Sequence, residues 1–210
     1  MNSKEVMHYW YYFCSLCSQL NVTRNYVDHR TTECNGIQVL ANANTYSNEF
    51  LKILLSTASE FETVGKLLCK EISPGFNEKS NIVHITDTIT KQYPNIGQTI
   101  VTTDFQVLTP LLNWSVQSND CGQNFISGLP WWTAYTDVKH HRYDCFNEAT
   151  LEHCINALAS LLVLELYLAM KVTGSVSNLS THSCEYFHFC YGHEQFWVRC
   201  PQNLPDFLLI

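Results

Sequence analysis

One short stretch of the chain combines the residue types that act on phosphate groups. Four adjacent residues that can carry positive charge fill positions 139–142, in a chain whose net charge is −7. A histidine can move a proton near neutral pH, and neighbouring cations stabilise the charge that builds on a phosphate during cleavage. We therefore take His140 as a candidate general acid or base, with Lys139 and Arg142 as phosphate-binding cations. The alternative is a solvated cluster whose cations pair with acids such as Glu60 or Asp144.

A short helix that begins at Trp131-Trp132 is predicted to carry this stretch. On a helix, Tyr135, Lys139 and Arg142 would share one face, because they stand at i, i+4 and i+7. Asp137 and His141 would share another face at i and i+4. The spacing therefore predicts a tyrosine and two cations along one side, with the candidate histidine between the two faces.

Two long helices, at residues 47–72 and 147–172, are predicted to form the core that positions this stretch. In the first, Leu54, Phe61 and Leu68 repeat every seven residues and define one apolar face. The second is almost continuously apolar, which predicts a buried helix. The other predicted elements are a helix at 3–20, a turn at Asn35-Gly36, a helix at 81–92, a strand at 99–108 and a loop at 117–130. The helix at 3–20 has one apolar stripe, formed by Val6, Trp10, Phe13, Cys17 and Leu20.

Composition limits the class of protein. Hydrophobic residues make up 46% of the 210 positions and charged residues 15%, which is typical of a packed domain and not of a disordered chain. The negative net charge argues against a protein that coats nucleic acid generally, but it leaves room for a local basic site. No secretion signal is recognised, and the longest apolar run, residues 157–170, is too short to span a membrane. We expect a cytoplasmic protein with no membrane contact and mostly reduced cysteines.

The stretch also resembles an uncharacterised bacterial group associated with the HEPN superfamily of helical domains. The resemblance covers roughly residues 45–172, and its motifs fall into an upstream part and a part around the basic stretch. The upstream positions are Ser59-Glu60-Phe61-Glu62-x-x-x-Lys66 and Leu108-Thr109-Pro110-Leu111-x-x-Trp114. The others are Trp132-x-x-Tyr135-x-x-Val138-Lys139-His140-x-Arg142, Ala149-Thr150-Leu151, Asn156-Ala157-Leu158-Ala159 and Tyr167-Leu168.

What the resemblance implies is a mainly α-helical bundle over residues 1–174. Many members of the superfamily are metal-independent endoribonucleases that work as homodimers, as toxins with an antitoxin partner or in anti-phage defence. By that resemblance the chain would bind or cleave RNA without a cofactor.

The family motif is Arg, a polar residue, three variable positions and His. Here His140 takes the place of the histidine and Thr136 that of the polar residue. We expect Tyr135 and Glu60 to orient the site, with His141 in a supporting role. Tyr135 stands where the arginine should be, and tyrosine carries no fixed positive charge. The alternative interpretation is therefore a non-catalytic, dimeric interaction or adaptor protein of the same fold.

The tail, residues 175–210, differs in composition and is predicted to form a β-hairpin that packs on the bundle. It is rich in cysteine and histidine, which are the residues that zinc prefers as ligands. The spacing fits a zinc site poorly, so zinc binding is the weaker hypothesis. The candidate ligands are His188, Cys190, His193 and Cys200.

Overall fold

The computed structural model describes residues 1–176, residue 179 and the backbone of residues 198–199. In chain order the helices are α1 (Ser3–Thr23), α2 (Asn48–Ile72), α3 (Ile82–Gln92), α4 (Pro130–His140), α5 (Arg142–Cys145) and α6 (Leu151–Thr173). The strands are β1 (Thr31–Cys34), β2 (Ile37–Leu40), β3 (Ile100–Thr102), β4 (Val107–Leu108), β5 (Ser115–Ser118), β6 (Asn124–Ser127) and β7 (Val198–Arg199). The predicted mainly α fold is confirmed.

The core is built on α2 and α6, which begin side by side. The Leu151 amide donates to the Thr45 carbonyl (2.9 Å), and the Cys154 thiol donates to the Phe50 carbonyl (3.1 Å). These bonds join the first turns of the two helices, so the helices run in the same direction. Helix α6 starts later than predicted, because Thr150 is extended (ψ 161°) and its hydroxyl caps the helix.

Helix α1 completes the bundle and runs antiparallel to α2. The N-terminal ammonium of Met1 pairs with Glu71, at the end of α2 (3.0 Å). An Asn2–Glu5 capping box starts α1. The predicted apolar stripe of α1 is buried. The helix itself continues three residues beyond its predicted end at residue 20. The stripe consists of Val6, Trp10, Phe13, Cys17 and Leu20.

The segments between the helices form short antiparallel strand pairs. The predicted turn at Asn35-Gly36 is confirmed as the tip of the β1–β2 hairpin, with both residues at positive φ. The loop predicted at 117–130 is wrong at residues 117–118 and 124–127, because β5 and β6 form a hairpin there, joined by residues 119–123. The strand predicted at 99–108 is divided into β3 and β4 by a turn, in which the Thr103 hydroxyl accepts bonds from two backbone amides. The short β7 pairs with β3, and the rest of the predicted tail hairpin lies outside the described residues.

Among the described helices, α6 alone has the length and hydropathy of a membrane span. In this structure 78% of its apolar window is buried inside the protein. It is therefore used here as the central core helix, as its composition predicts.

Candidate functional site

Helix α4 is held firmly against the core through tryptophan. The Trp131 ring packs edge-on against Phe61 of α2, with the ring centroids 5.0 Å apart. Its indole N–H donates to the Ser160 hydroxyl of α6 (3.1 Å). Trp132 lies 6.1 Å from the same Phe61 ring. The start of α4 therefore contacts both core helices, and at its far end the last two residues, Lys139 and His140, are exposed at the surface.

That far end is the predicted basic stretch, but the helix stops inside it. Helix α4 ends at His140, and His141 leaves the helical region (φ −132°, ψ 44°) before α5 begins at Arg142. The predicted face containing Tyr135, Lys139 and Arg142 is therefore wrong at Arg142, because the chain turns between the two helices. We call residues 139–143 the basic corner.

Every side chain of the basic corner is exposed. Tyr143, which the sequence analysis did not select, is 97% exposed, the highest value among the large apolar and aromatic side chains of the described residues. Its neighbour Arg142 forms no ion pair within the part of the chain that the structure describes. An exposed guanidinium and an exposed aromatic ring thus stand next to each other.

The Lys139 side chain is bonded to a neighbouring side chain of its own helix. Its ammonium donates a 2.9 Å hydrogen bond to the Tyr135 hydroxyl and lies 5.1 Å from the centroid of the same ring. The hydrogen bond to Tyr135 and the nearby Glu62 carboxylate raise the pKa of Lys139. Tyr135 is buried and packs on Trp132 with the ring centroids 5.0 Å apart. The position where the family has arginine therefore holds a buried ring that anchors a lysine.

No hydrogen bond among the described residues orients His140, His141 and Thr136 toward one another. The Thr136 hydroxyl donates to the Trp132 carbonyl (2.9 Å), which is an internal helix contact. The His141 backbone caps α4 through a 2.7 Å bond to Asp137, whereas no side-chain hydrogen bond of His140 or His141 appears among the described residues. The corner thus presents exposed imidazoles that remain free to rotate.

Glu60 does not join the basic corner. The side of α2 that approaches Lys139 carries Glu62, and Glu60 points in nearly the opposite direction, because two residues are 200° apart on a helix. Glu60 is half-buried, and burial raises its pKa. Its charge instead affects Glu165 inside the bundle. The expected contact with His140 or Arg142 does not form in the described structure.

Acidic side chains border the corner on its other side. Desolvation raises the pKa of the Cys145 thiol, and Asp137, Asp144 and Glu148 raise it further. The corner is therefore a local basic surface with an acidic margin, which limits how broadly an anionic partner can spread.

A cleft that the sequence analysis missed opens at the other end of α4. Its volume is about 530 Å³, and the floor includes Trp131 and Pro110. The sequence feature that could have indicated the cleft is Gly128. A glycine can mark a close approach of two backbone segments, and here a Cβ would lie 2.4 Å from the Asn113 backbone. From Pro130 to His140, α4 spans roughly 15 Å, so the cleft and the basic corner are separate surfaces.

No group of three or more metal-ligating side chains occurs among the residues that the structure describes. The four zinc candidates of the tail, His188, Cys190, His193 and Cys200, lie outside those residues. The seven described cysteines are all unpaired by disulfides, and Cys17, Cys69 and Cys154 are buried. Cys14 and Cys17 lie in the middle of α1, away from the helix start that would stabilise a thiolate.

We compared the chain with protein-family models, with curated proteins and with solved structures, and none of the three comparisons gave a match. The link to the HEPN superfamily therefore depends on the residue pattern alone.

Proposed function

We propose that the chain is a HEPN-like protein that binds RNA through the basic corner. The observation that carries this proposal is the exposed pair Arg142 and Tyr143, which are adjacent at the start of α5, directly after the turn at His141. Guanidinium groups bind phosphate through paired hydrogen bonds, and exposed aromatic rings stack on unpaired bases. Both groups are adjacent to two exposed histidines and Lys139.

Single-stranded RNA fits this surface better than a duplex does. Stacking on Tyr143 needs a base that is not already stacked within a helix. The corner is small, and the protein carries a net charge of −7, so a long duplex would meet repulsion beyond the corner. A loop or an unpaired end could contact the corner without crossing its acidic margin.

Cleavage is the second part of the proposal, with His140 as the general acid or base and Arg142 as the phosphate-binding cation. An exposed imidazole beside cations is suited to proton transfer near neutral pH. The proposed enzyme would be a metal-independent endoribonuclease, acting as a homodimer in a toxin–antitoxin or defence setting in the cytoplasm. These features come from the family resemblance.

Two observations favour a non-catalytic protein of the same fold instead. Tyr135 is buried and holds Lys139, so the motif position of the family's arginine contributes no free charge. Helix α1 also exposes two adjacent aromatic side chains, Tyr11 (50%) and Tyr12 (42%), which is typical of surfaces that contact proteins. In this alternative the chain would be a dimeric adaptor with a protein partner.

The test measures binding and cleavage of a fluorescent single-stranded RNA in the presence of a metal chelator. We expect Arg142→Ala and Tyr143→Ala each to weaken binding about tenfold or more, because each removes a phosphate or stacking contact. Matched controls are Lys79→Ala and Tyr26→Ala, which alter exposed residues away from the corner.

Three outcomes separate the hypotheses. Cleavage by the parent protein but not by His140→Ala would support the endoribonuclease. Binding without cleavage would leave an RNA-binding protein. Equal binding by the corner variants and the controls would overturn the proposed RNA site and favour the adaptor.

A further inference from the structure

The cleft at the start of α4 is walled by hydrogen-bond acceptors. Three side chains from the first turns of α6 line it: Glu152, His153 and Asn156. Their internal hydrogen bonds show which atoms remain for a ligand. The remaining wall is mostly apolar, from Pro110, Leu112, Pro130 and Trp131.

His153 has a defined tautomer. Its Nδ1 lies 2.7 Å from the Glu148 carbonyl oxygen, which can only accept, so Nδ1 carries the proton in that bond. In the neutral ring, Nε2 then holds a lone pair and acts as an acceptor. No other hydrogen bond of this ring occurs among the described residues.

Asn156 and Glu152 also have side-chain acceptor atoms that form no bond with any described residue. The Asn156 amide nitrogen donates to the Glu152 backbone carbonyl (3.0 Å), which leaves the side-chain oxygen as the acceptor that a ligand could use. The Glu152 carboxylate is exposed and forms no hydrogen bond or ion pair with any described residue. The cleft therefore offers a carboxylate, an amide oxygen and an imidazole nitrogen, all of which accept.

The hydrogen bonds at the start of α6 and the residues that line the cleft argue against an anionic ligand. The first amides of α6 are already bonded: Leu151 to the Thr45 carbonyl, Glu152 to the Ala43 carbonyl and His153 to the Thr150 hydroxyl. The start of this helix thus has few free N–H groups for a phosphate. No lysine or arginine lines the cleft either.

From this geometry we infer that the cleft binds an alkylguanidinium or alkylammonium cation. The charged, donor-rich head lies at Glu152, His153 and Asn156, and the aliphatic stem lies along the apolar wall. A volume of about 530 Å³ holds a ligand of this size with room for water. The cation could be a free amine or the arginine side chain of a protein partner.

Agmatine is the first probe, measured by calorimetric titration of the full chain. We expect saturable binding that weakens about tenfold or more in Glu152→Gln, because a charge-assisted contact is replaced by a neutral one. Glu49→Gln is the matched control, since Glu49 is also an acid in the first turn of a core helix. It should bind agmatine as the parent does. N-butylurea, a neutral mimic, should not bind.

Two-dimensional amide NMR separates this inference from the proposed function. Agmatine should move the amide signals of residues 152–156 and leave those of residues 139–143 unchanged. No saturable binding at about 10 mM, equal affinity in Glu152→Gln and the parent, or shifts only at the basic corner would each overturn the inference. These results would not affect RNA binding at the corner.

A capped arginine peptide distinguishes the two sources of the cation. Tighter binding of the peptide than of agmatine assigns the cleft to a partner's arginine side chain. Tighter binding of agmatine assigns it to a free amine. In both cases Glu152→Gln must weaken the interaction for the inference to stand.

Discussion

The ammonium of Lys139 donates a 2.9 Å hydrogen bond to the hydroxyl of Tyr135, one helical turn earlier on α4. Tyr135 is 7% exposed and holds this bond at the edge of the core, whereas Arg142 lies beyond the end of the helix. The two cations that sequence spacing placed on one face therefore differ in availability. Lys139 is bonded to its own helix, whereas Arg142 forms no ion pair with any residue that the structure describes.

We expect Tyr135→Phe to change the free energy of unfolding by less than about 1 kcal/mol, because water can replace a bond to an exposed ammonium. Tyr135→Ala should cost about 3 kcal/mol, because it leaves a cavity against Trp132. Urea unfolding of both variants measures the difference. An equal cost for the two would show that the hydroxyl, and not the ring, stabilises the corner.

Salt dependence tests whether Arg142 contacts phosphate in the proposed RNA complex. Each phosphate contact with a single strand contributes about −0.7 to the slope of log binding constant against log salt concentration. Arg142→Ala should reduce the magnitude of that slope by about this amount. Lys79→Ala should leave it unchanged, and a slope unaffected by Arg142→Ala would count against a phosphate contact.

A buried acid lies at the centre of the bundle. Glu165 on α6 is fully buried, and neither carboxylate oxygen has a hydrogen-bond partner among the described residues. Desolvation raises the pKa of Glu165 well above its ordinary value of 4.5, and the nearby Glu60 raises it further. The folded protein therefore favours the neutral acid.

This burial predicts that stability falls as pH rises. The folded state holds the Glu165 proton more tightly than the unfolded state does, so the stabilising contribution is complete below about pH 4.5 and is lost as pH rises toward the folded-state pKa. Glu165→Gln should be more stable than the parent at pH 8 and should lose less stability between pH 5 and pH 8. Thermal unfolding across this range measures both quantities.

Glu60→Gln serves as the companion variant. Removing the like charge lowers the folded-state pKa of Glu165, so the loss of stability with pH should be smaller than in the parent. The prediction would be contradicted if the stability of the parent changed between pH 5 and pH 8 no more than that of Glu165→Gln.

Gly128 is required by a close backbone approach. Its φ is +84°, and an added Cβ would lie 2.4 Å from the carbonyl carbon and oxygen of Asn113. Gly122 has a similar φ of +73° but open space around it. We expect Gly122→Ala to cost about 1–2 kcal/mol from backbone strain alone and Gly128→Ala to cost clearly more. Urea unfolding compares them, and equal costs would show that the Asn113 segment can move aside.

Sequence periodicity determined the bundle. The seven-residue repeat of Leu54, Phe61 and Leu68 and the apolar run around Glu165 identify core helices because burying those faces is the largest favourable term in folding. The turn at Asn35-Gly36 was also predicted correctly, because a two-residue turn depends mainly on the backbone preferences of its own residues. The same local reading missed the β5–β6 hairpin, because polar strands of four residues at a surface have little periodicity to recognise.

The composition of the basic corner was readable from the sequence, whereas its geometry was a tertiary result. Helical spacing alone extends α4 through Arg142, but the helix ends at His140 and the chain turns at His141. That turn separates Arg142 from Lys139 and leaves Tyr143 exposed. The acceptor-lined cleft likewise joins α4, α6 and the Asn113 segment, which are distant in sequence. Local sequence predicts local bonds, but a surface shared by several elements exists only once those elements pack together.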